Sequence, residues 1–146
     1  MRTEKGVVIA AYKQNRRNPR YTVLKRKKNW EGWELPKGHL EDGDYEKTVL
    51  QELEEEAGIE EDRVKAIEDM EKLIEWSYKD DGEKVKREYK AFLVELDKDT
   101  YIDTSSNPHD EHETGLFLRF KDVEDMLTYE QHVEVLKKAH EKVSQE

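Results

Sequence analysis

Apolar residues in this chain fall in short blocks separated by heavily charged stretches. GVVIAAY, residues 6–12, is a continuous apolar run, the pattern of a strand buried on both faces. After the polar connection QNRRNPR, Tyr21 to Arg26 reads as a second strand. WEGWELPKG, residues 30–38, is punctuated by glycine and proline and reads as irregular. From Tyr45 to Ala57 the period becomes helical, with Val49, Leu50, Leu53 and Ala57 on one side. Asp44 stands at the N-cap of that helix and Gly58 at its C′ position. Val64 to Tyr78 is extended with interruptions, and Asp80-Asp81-Gly82 supplies a turn into Val85 to Leu96. The polar loop TSSNPHDEHET leads into a short strand, Leu116 to Phe120. KDVEDML is helical, and Thr128 with Gln131 has capping-box spacing for a last helix that faces Val133, Leu136 and Ala139 inward. With no repeat or linker, these elements predict one mixed α/β domain over residues 1–146.

Composition alone pulls the other way. Charged residues make up 42% of the 146 and apolar residues 34%, which leans towards disorder. The clustering of the apolar residues overrides this and predicts a folded domain with a charged surface. A net charge of −10 argues against a duplex nucleic acid partner bound through a basic face. It leaves phosphate substrates open, because a bound divalent cation inverts the local field. Cysteine is absent, so disulfides and thiolate zinc sites are excluded. No apolar run suggests a leader or a membrane span, and the cytoplasm is the expected compartment. No heptad or apolar stripe sets an oligomeric state.

The charge is most concentrated in GHLEDGDYEKTVLQELEEEAGI, residues 38–59, with six glutamates and two aspartates. Like charges at helical spacing repel, so either solvent or a cation must relieve them. Glu52, Glu55 and Glu56 stand at i, i+3 and i+4, within an arc of roughly 100° on a helix. Leu50, Leu53 and Ala57 lie on a neighbouring face that can anchor that helix to a sheet. Three carboxylates held this way can converge on a hard cation such as Mg²⁺, whereas the same residues on a free helix would be a solvated face. Gly38 and Gly43 lie in the preceding loop, where backbone can approach a ligand closely.

In these residues the chain resembles the Nudix hydrolases. Their signature runs G, five residues, E, seven residues, then R-E-U-x-E-E-x-G-U, with U a bulky apolar residue. Gly38 matches the first glycine, and Glu52 to Ile59 match everything after the arginine. The chain departs in three ways: Asp44 replaces the first glutamate, Gln51 replaces the arginine, and the interval between them is one residue short. In the family that glutamate and arginine brace the loop against the helix. An Asp44–Gln51 pair can still hydrogen-bond but cannot make the full ion pair.

The resemblance implies an α/β/α sandwich around a mixed sheet. It implies Glu52, Glu55 and Glu56 as Mg²⁺ ligands (Mn²⁺ as a substitute), with the Lys37 carbonyl as a further one. Glu52 or Glu56 would be the base that activates water. Glu111, in the loop before the last strand, would be a distal acidic ligand. His112 and His39 are candidates for substrate contact. The segment WELPKGHLEDGD, with EYKAFLVEL and the closing EHETGLFLRFKDVEDML, is similar to the asymmetric diadenosine tetraphosphate hydrolases of the family. That likeness makes Tyr89 a candidate for adenine stacking or a phosphate bond, with a core role as its alternative, and Lys37, Lys86 and Arg87 candidate phosphate contacts. It implies a small nucleotide as partner, cleaved to ATP and AMP. RNA 5′ ends, ADP-ribose and a weakly catalytic nucleotide-binding module are the alternatives.

Overall fold

The structure is a computed structural model that describes residues 1–15, 18–105, 108 and 110–144. Among the described residues seven strands form one mixed sheet: β1 (Arg2–Asn15), β2 (Asn18–Arg26), β3 (Gly32–Glu34), β4 (Lys37–His39), β5 (Val64–Asp80), β6 (Glu83–Leu96) and β7 (His112–Arg119). The helices are α1 (Tyr45–Ala57), α2 (Phe120–Met126) and α3 (Glu130–Ser144). Along the sheet the order is β3-β2-β1-β6-β5, with β4 also pairing with β1 and β7 with β2. The β1–β6 pair is parallel, and the other pairs are antiparallel.

The apolar run in β1 is buried on both faces, as its pattern predicts. Val7, Ile9 and Ala11 pack with Val49, Leu53 and Ala57 of α1. Val8, Ala10 and Tyr12 pack with Val123 of α2 and with Leu136, Ala139 and Val143 of α3. Alternation along one strand therefore sorts the helices to opposite faces, giving the expected α/β/α sandwich. Each fully buried aliphatic side chain contributes roughly 1.5–3 kcal/mol, so the central strands anchor both layers. Among the described residues no helix is long and apolar enough to cross a membrane.

The sheet is not continuous between β1 and β2. They pair only from Tyr12 to Asn15, and farther down β1 its Gly6–Val8 segment pairs with β4 instead. Ile9 N–H donates to the Pro36 carbonyl (2.8 Å), and Leu40 N–H to the Lys5 carbonyl (2.9 Å), so the segment around β4 is stitched to β1. Meanwhile β2 turns to β7 and β3. The gap between the diverging strands is where the cleft described below opens.

The predicted helix at 45–57 is present at the same limits. Asp44 Oδ1 accepts from Lys47 N–H (3.1 Å), and Gly58 at φ +67° ends the helix, its N–H bonded to the Glu54 carbonyl (3.0 Å). Leu50 is only half-buried, whereas Val49, Leu53 and Ala57 carry the packing. The Asp80–Gly82 turn is also formed, with positive φ at Asp81 and Gly82.

Several details differ from the sequence reading. The ends of QNRRNPR belong to β1 and β2, with Arg16 and Arg17 outside the described residues. WEGWELPKG carries β3 and β4, strands of three residues each, too short to show a period. The last strand begins at His112 rather than Leu116 and ends at Arg119, because β2 offers a ladder as far as Arg26. Thr128 and Gln131 do not form a capping box. Thr128 Oγ1 accepts from Trp33 N–H (3.0 Å), and Gln131 Nε2 donates to the Glu75 carbonyl (2.7 Å). These side chains tie the start of α3 to β3 and β5, while the Tyr129 carbonyl accepts the first helical N–H groups.

Candidate active site

The acidic face of α1 lies against β4. Glu56 Oε1 accepts from the Lys37 backbone N–H (2.9 Å), and the Glu52 carboxyl sits directly over Gly38. A Cβ at Gly38 would overlap that carboxyl group, so only glycine allows the helix to approach this closely. Glu52 and Glu56 are each only 8% exposed, while Glu55 is half-buried and accepts from Gln51 Nε2 (3.1 Å). From the other side, the residue just before β7, Glu111, is half-buried and 3.5 Å from Arg26 Nη1. Ligand atoms of Glu56, Glu111 and His112 lie within 4.8 Å of one another. The surrounding cleft has a volume of about 470 Å³ and is also lined by Arg87, Tyr89 and His39.

The electrostatics follow from this crowding. Burial, reinforced by Glu55, Glu41 and Glu111, pushes the Glu52 carboxyl up to about 8. Burial, with Glu34 and Glu52 nearby, raises Glu56 well above the ordinary carboxylate range. Such groups favour a proton or a cation, and hard oxygen donors at this density suit a divalent ion.

Behind the cleft lies a network that the sequence does not announce. Glu34 on β3, 1% exposed, accepts from Arg26 Nη1 (3.2 Å) and from His112 Nε2 (3.0 Å). Its other oxygen is 3.8 Å from Lys37 Nζ. Burial opposes ionisation of Glu34, but the His112 bond together with Lys37 and Arg26 holds its carboxyl below the usual range.

A second cavity of about 330 Å³ adjoins the cleft, and Arg26, Asn29, Lys37 and Arg87 line both. Its own walls are largely aromatic. Trp30 and Tyr129 meet edge to face at 5.1 Å, Trp76 lies 4.9 Å from Tyr89, and Lys37 Nζ is 5.8 Å from the Trp76 ring centre. His132 and Gln131, at the start of α3, complete it.

The NUDIX domain family model matches residues 3–142. The chain belongs to the NUDIX domain family. Its class, a hydrolase of compounds with pyrophosphate linkages, stands with that membership. No curated protein matches the sequence significantly. Among solved structures, the binary complex of a C. elegans Ap4A hydrolase is similar at 19% identity, TM-score 0.75, covering 98% of this chain and 99% of that one. The NUDIX domain of Shewanella oneidensis NrtR complexed with ADP ribose is similar at 15% identity and TM-score 0.75, covering 98% and 90%. The E. coli dihydroneopterin triphosphate pyrophosphohydrolase is similar at 15% identity and TM-score 0.74, covering 94% and 97%. At these identities the likeness is one of fold.

Within this Nudix fold the structure brings Lys37, Glu52, Glu55, Glu56 and Glu111 to one cleft, with His39, Arg87 and Tyr89. Tyr89 is 2% exposed and belongs to the core cluster as well as the cleft wall; a Cβ at Gly6 would lie 2.6 Å from its ring. His39 stacks edge to face on Tyr89 at 6.3 Å, and burial, with Arg87, lowers its pKa. Arg87 Nε donates to Glu4 Oε1 (2.9 Å). Two candidates do not line the cleft. Lys86 points to Glu75 (3.3 Å) and lines neither cavity, since neighbours on a strand face opposite ways. His112 has no exposed side-chain surface and binds Glu34, so it supports the cleft from behind.

The Asp44–Gln51 hydrogen bond is not formed. Asp44 is occupied as the N-cap and Gln51 as a partner of Glu55. Thr48 braces the loop instead: its Oγ1 accepts from Glu41 N–H (2.8 Å) and donates to the Asp44 carbonyl (2.7 Å). The missing residue is absorbed in the turn before α1, where Asp42 and Gly43 adopt positive φ and Asp44 N–H bonds to the Glu41 carbonyl (3.0 Å). Sequence reading also missed Arg26, Asn29, Glu34, Trp30, Trp76 and Tyr129. Two tryptophans close to the Pro-Lys-Gly segment were the one available hint.

Proposed function

We propose that this protein hydrolyses diadenosine tetraphosphate asymmetrically, to ATP and AMP, with Mg²⁺ as its cation and Mn²⁺ as a substitute. The observation that carries the reading is the junction of the two cavities. An acidic cleft and an aromatic cavity share three cationic side chains, Arg26, Lys37 and Arg87. That sequence of environments suits a base, a run of phosphates and a reacting phosphorus. The C. elegans neighbour, an Ap4A hydrolase, supports the choice of substrate within the family.

The donor set fits a hard cation: Glu52, Glu55, Glu56, Glu111 and the Lys37 carbonyl would hold it, all through oxygen. When bound, the ion would neutralise phosphate charge and acidify a water. Arg87 and Lys37 would hold the polyphosphate chain through charge-assisted hydrogen bonds. Glu52 or Glu56 accepts the proton of the attacking water as its oxygen bonds to phosphorus. The bridging oxygen then leaves with the other half of the substrate. His39 lies beside the cleft as a further phosphate contact.

The experiment is a timed hydrolysis of diadenosine tetraphosphate with Mg²⁺, products resolved by chromatography. Equimolar ATP and AMP support the reading, and two ADP refute it. A second reading, a nucleotide-binding module with little turnover, draws on Asp44 and Gln51, which are bonded elsewhere and not to each other. Tight nucleotide binding without hydrolysis, of this substrate or of ADP-ribose or RNA 5′ ends, would favour it.

A further inference from the structure

His132 is the second aromatic-lined cavity's most constrained polar group. It is 3% exposed and lies at the start of α3, where its ring meets Tyr129 edge to face at 5.7 Å. Its Nδ1 accepts from the Leu35 backbone N–H (3.2 Å). A backbone amide can only donate, so Nδ1 carries no proton and the neutral ring's hydrogen is on Nε2. Burial holds the ring's pKa down to about 4, so this tautomer persists through neutral pH. The ring nitrogen that Leu35 does not use, Nε2, is thus a donor on a residue that lines the cavity, and the ring offers no free acceptor.

We infer that His132 Nε2–H is a specificity-determining contact that donates to a ring nitrogen of the base occupying this cavity. The inference rests on the nucleotide reading above and adds the atom that reads the base. An aromatic surround supplies stacking energy to any base. A fixed donor discriminates: it bonds a ring nitrogen that has a lone pair, and it is left unpaired opposite a C–H. Leaving a buried polar group unpaired is what makes such a contact selective. Adenine carries acceptors of this kind at N1, N3 and N7.

The test is calorimetric binding of ATP and of its 1-, 3- and 7-deaza analogues to the native protein in Mg²⁺. One analogue is expected to bind about tenfold more weakly than ATP, and the other two like ATP. His132→Phe keeps a ring of similar size without the donor. It should bind ATP as weakly as native protein binds the discriminated analogue, and should no longer tell the four ligands apart. Equal affinities for all four ligands in the native protein would overturn the inference, as would no binding of any. Selective binding with no hydrolysis of the dinucleotide would leave the inference standing and sink the hydrolase reading. If His132→Phe does not fold, the native series alone decides.

Discussion

The carboxylate cleft and the aromatic cavity share a wall but are built in opposite ways. Three of the cleft's acids come from two turns of α1, a fourth, Glu41, from the loop before that helix, and a fifth, Glu111, from the residue before β7. The cavity takes its walls from the segment after β2, from β5 and β6, and from the residues that open α3. The cleft is self-repelling, and burial and neighbouring charge push two of its carboxyls upward. The cavity's rings and cations attract one another. One region is therefore costly until a cation arrives, whereas the other is assembled by its own packing. This division separates reaction from recognition, and substitutions should separate them too.

The largest effect is expected from Glu56→Gln. An amide keeps the oxygen that accepts from Lys37 N–H but loses the charge. Hydrolysis should fall by about a thousandfold or more, in kcat rather than in KM. Stability of the metal-free protein should rise, on the order of 1–3 kcal/mol near neutral pH, because the amide does not titrate and the cost of keeping this carboxyl protonated in the fold is removed. The pH dependence has a fixed sign. A carboxyl whose pKa is higher in the fold than in the unfolded chain keeps a proton that the unfolded chain has released. Metal-free stability is therefore greatest in mild acid and declines as pH rises from the carboxylate range through about 8, the Glu52 value. Thermal unfolding across that range should show the decline in native protein, less of it in Glu56→Gln, and its suppression by Mg²⁺. A native curve that is flat without metal would break the contrast between the two regions.

Trp76→Ala should act chiefly on the cavity, although its ring also packs against Tyr89 of the cleft wall. Stacking on an aromatic side chain is worth roughly 1–3 kcal/mol per base, so KM should rise about tenfold with kcat near the native value. Steady-state kinetics on the dinucleotide distinguishes the outcomes. A collapse of kcat with KM unchanged would mean that the cavity belongs to the reacting centre rather than to binding.

This contrast also explains what could be read from the sequence. The helix at 45–57, its cap, its terminating glycine and its three acids are local, set by spacing over 3.6 residues per turn. The buried β1 was legible for the same reason, as a continuous apolar run of seven residues, whereas the α/β/α layering was implied by the family resemblance. Glu34 illustrates what was not. It looks like any surface glutamate until His112, 78 positions away, is brought within 3.0 Å. Trp76 alternates on a charged strand, and nothing local indicates that Trp30 and Tyr129 line the same cavity. Lys86 and Arg87 are adjacent and chemically alike, and only strand phase separates them. Thr128 and Gln131 had the right spacing for a capping box, but the β3 edge and the Glu75 carbonyl took both side chains.

The smallest expected effect tests how the shortened signature holds together. Thr48 has no exposed surface, and its hydroxyl links the Leu40–Asp44 loop to the first turns of α1. Thr48→Val keeps the shape, removes the hydroxyl and leaves the Glu41 N–H without its side-chain acceptor. Loss of these two bonds should cost about 1–2 kcal/mol in denaturant unfolding. Hydrolysis should fall several-fold, because this loop follows the strand on which Gly38 receives Glu52. Gln51→Ala should do less to stability, since Gln51 reaches only the half-buried Glu55. The opposite ranking, with Gln51 the more damaging loss, would show that the position of the family's arginine still braces the loop and that Thr48 merely fills space.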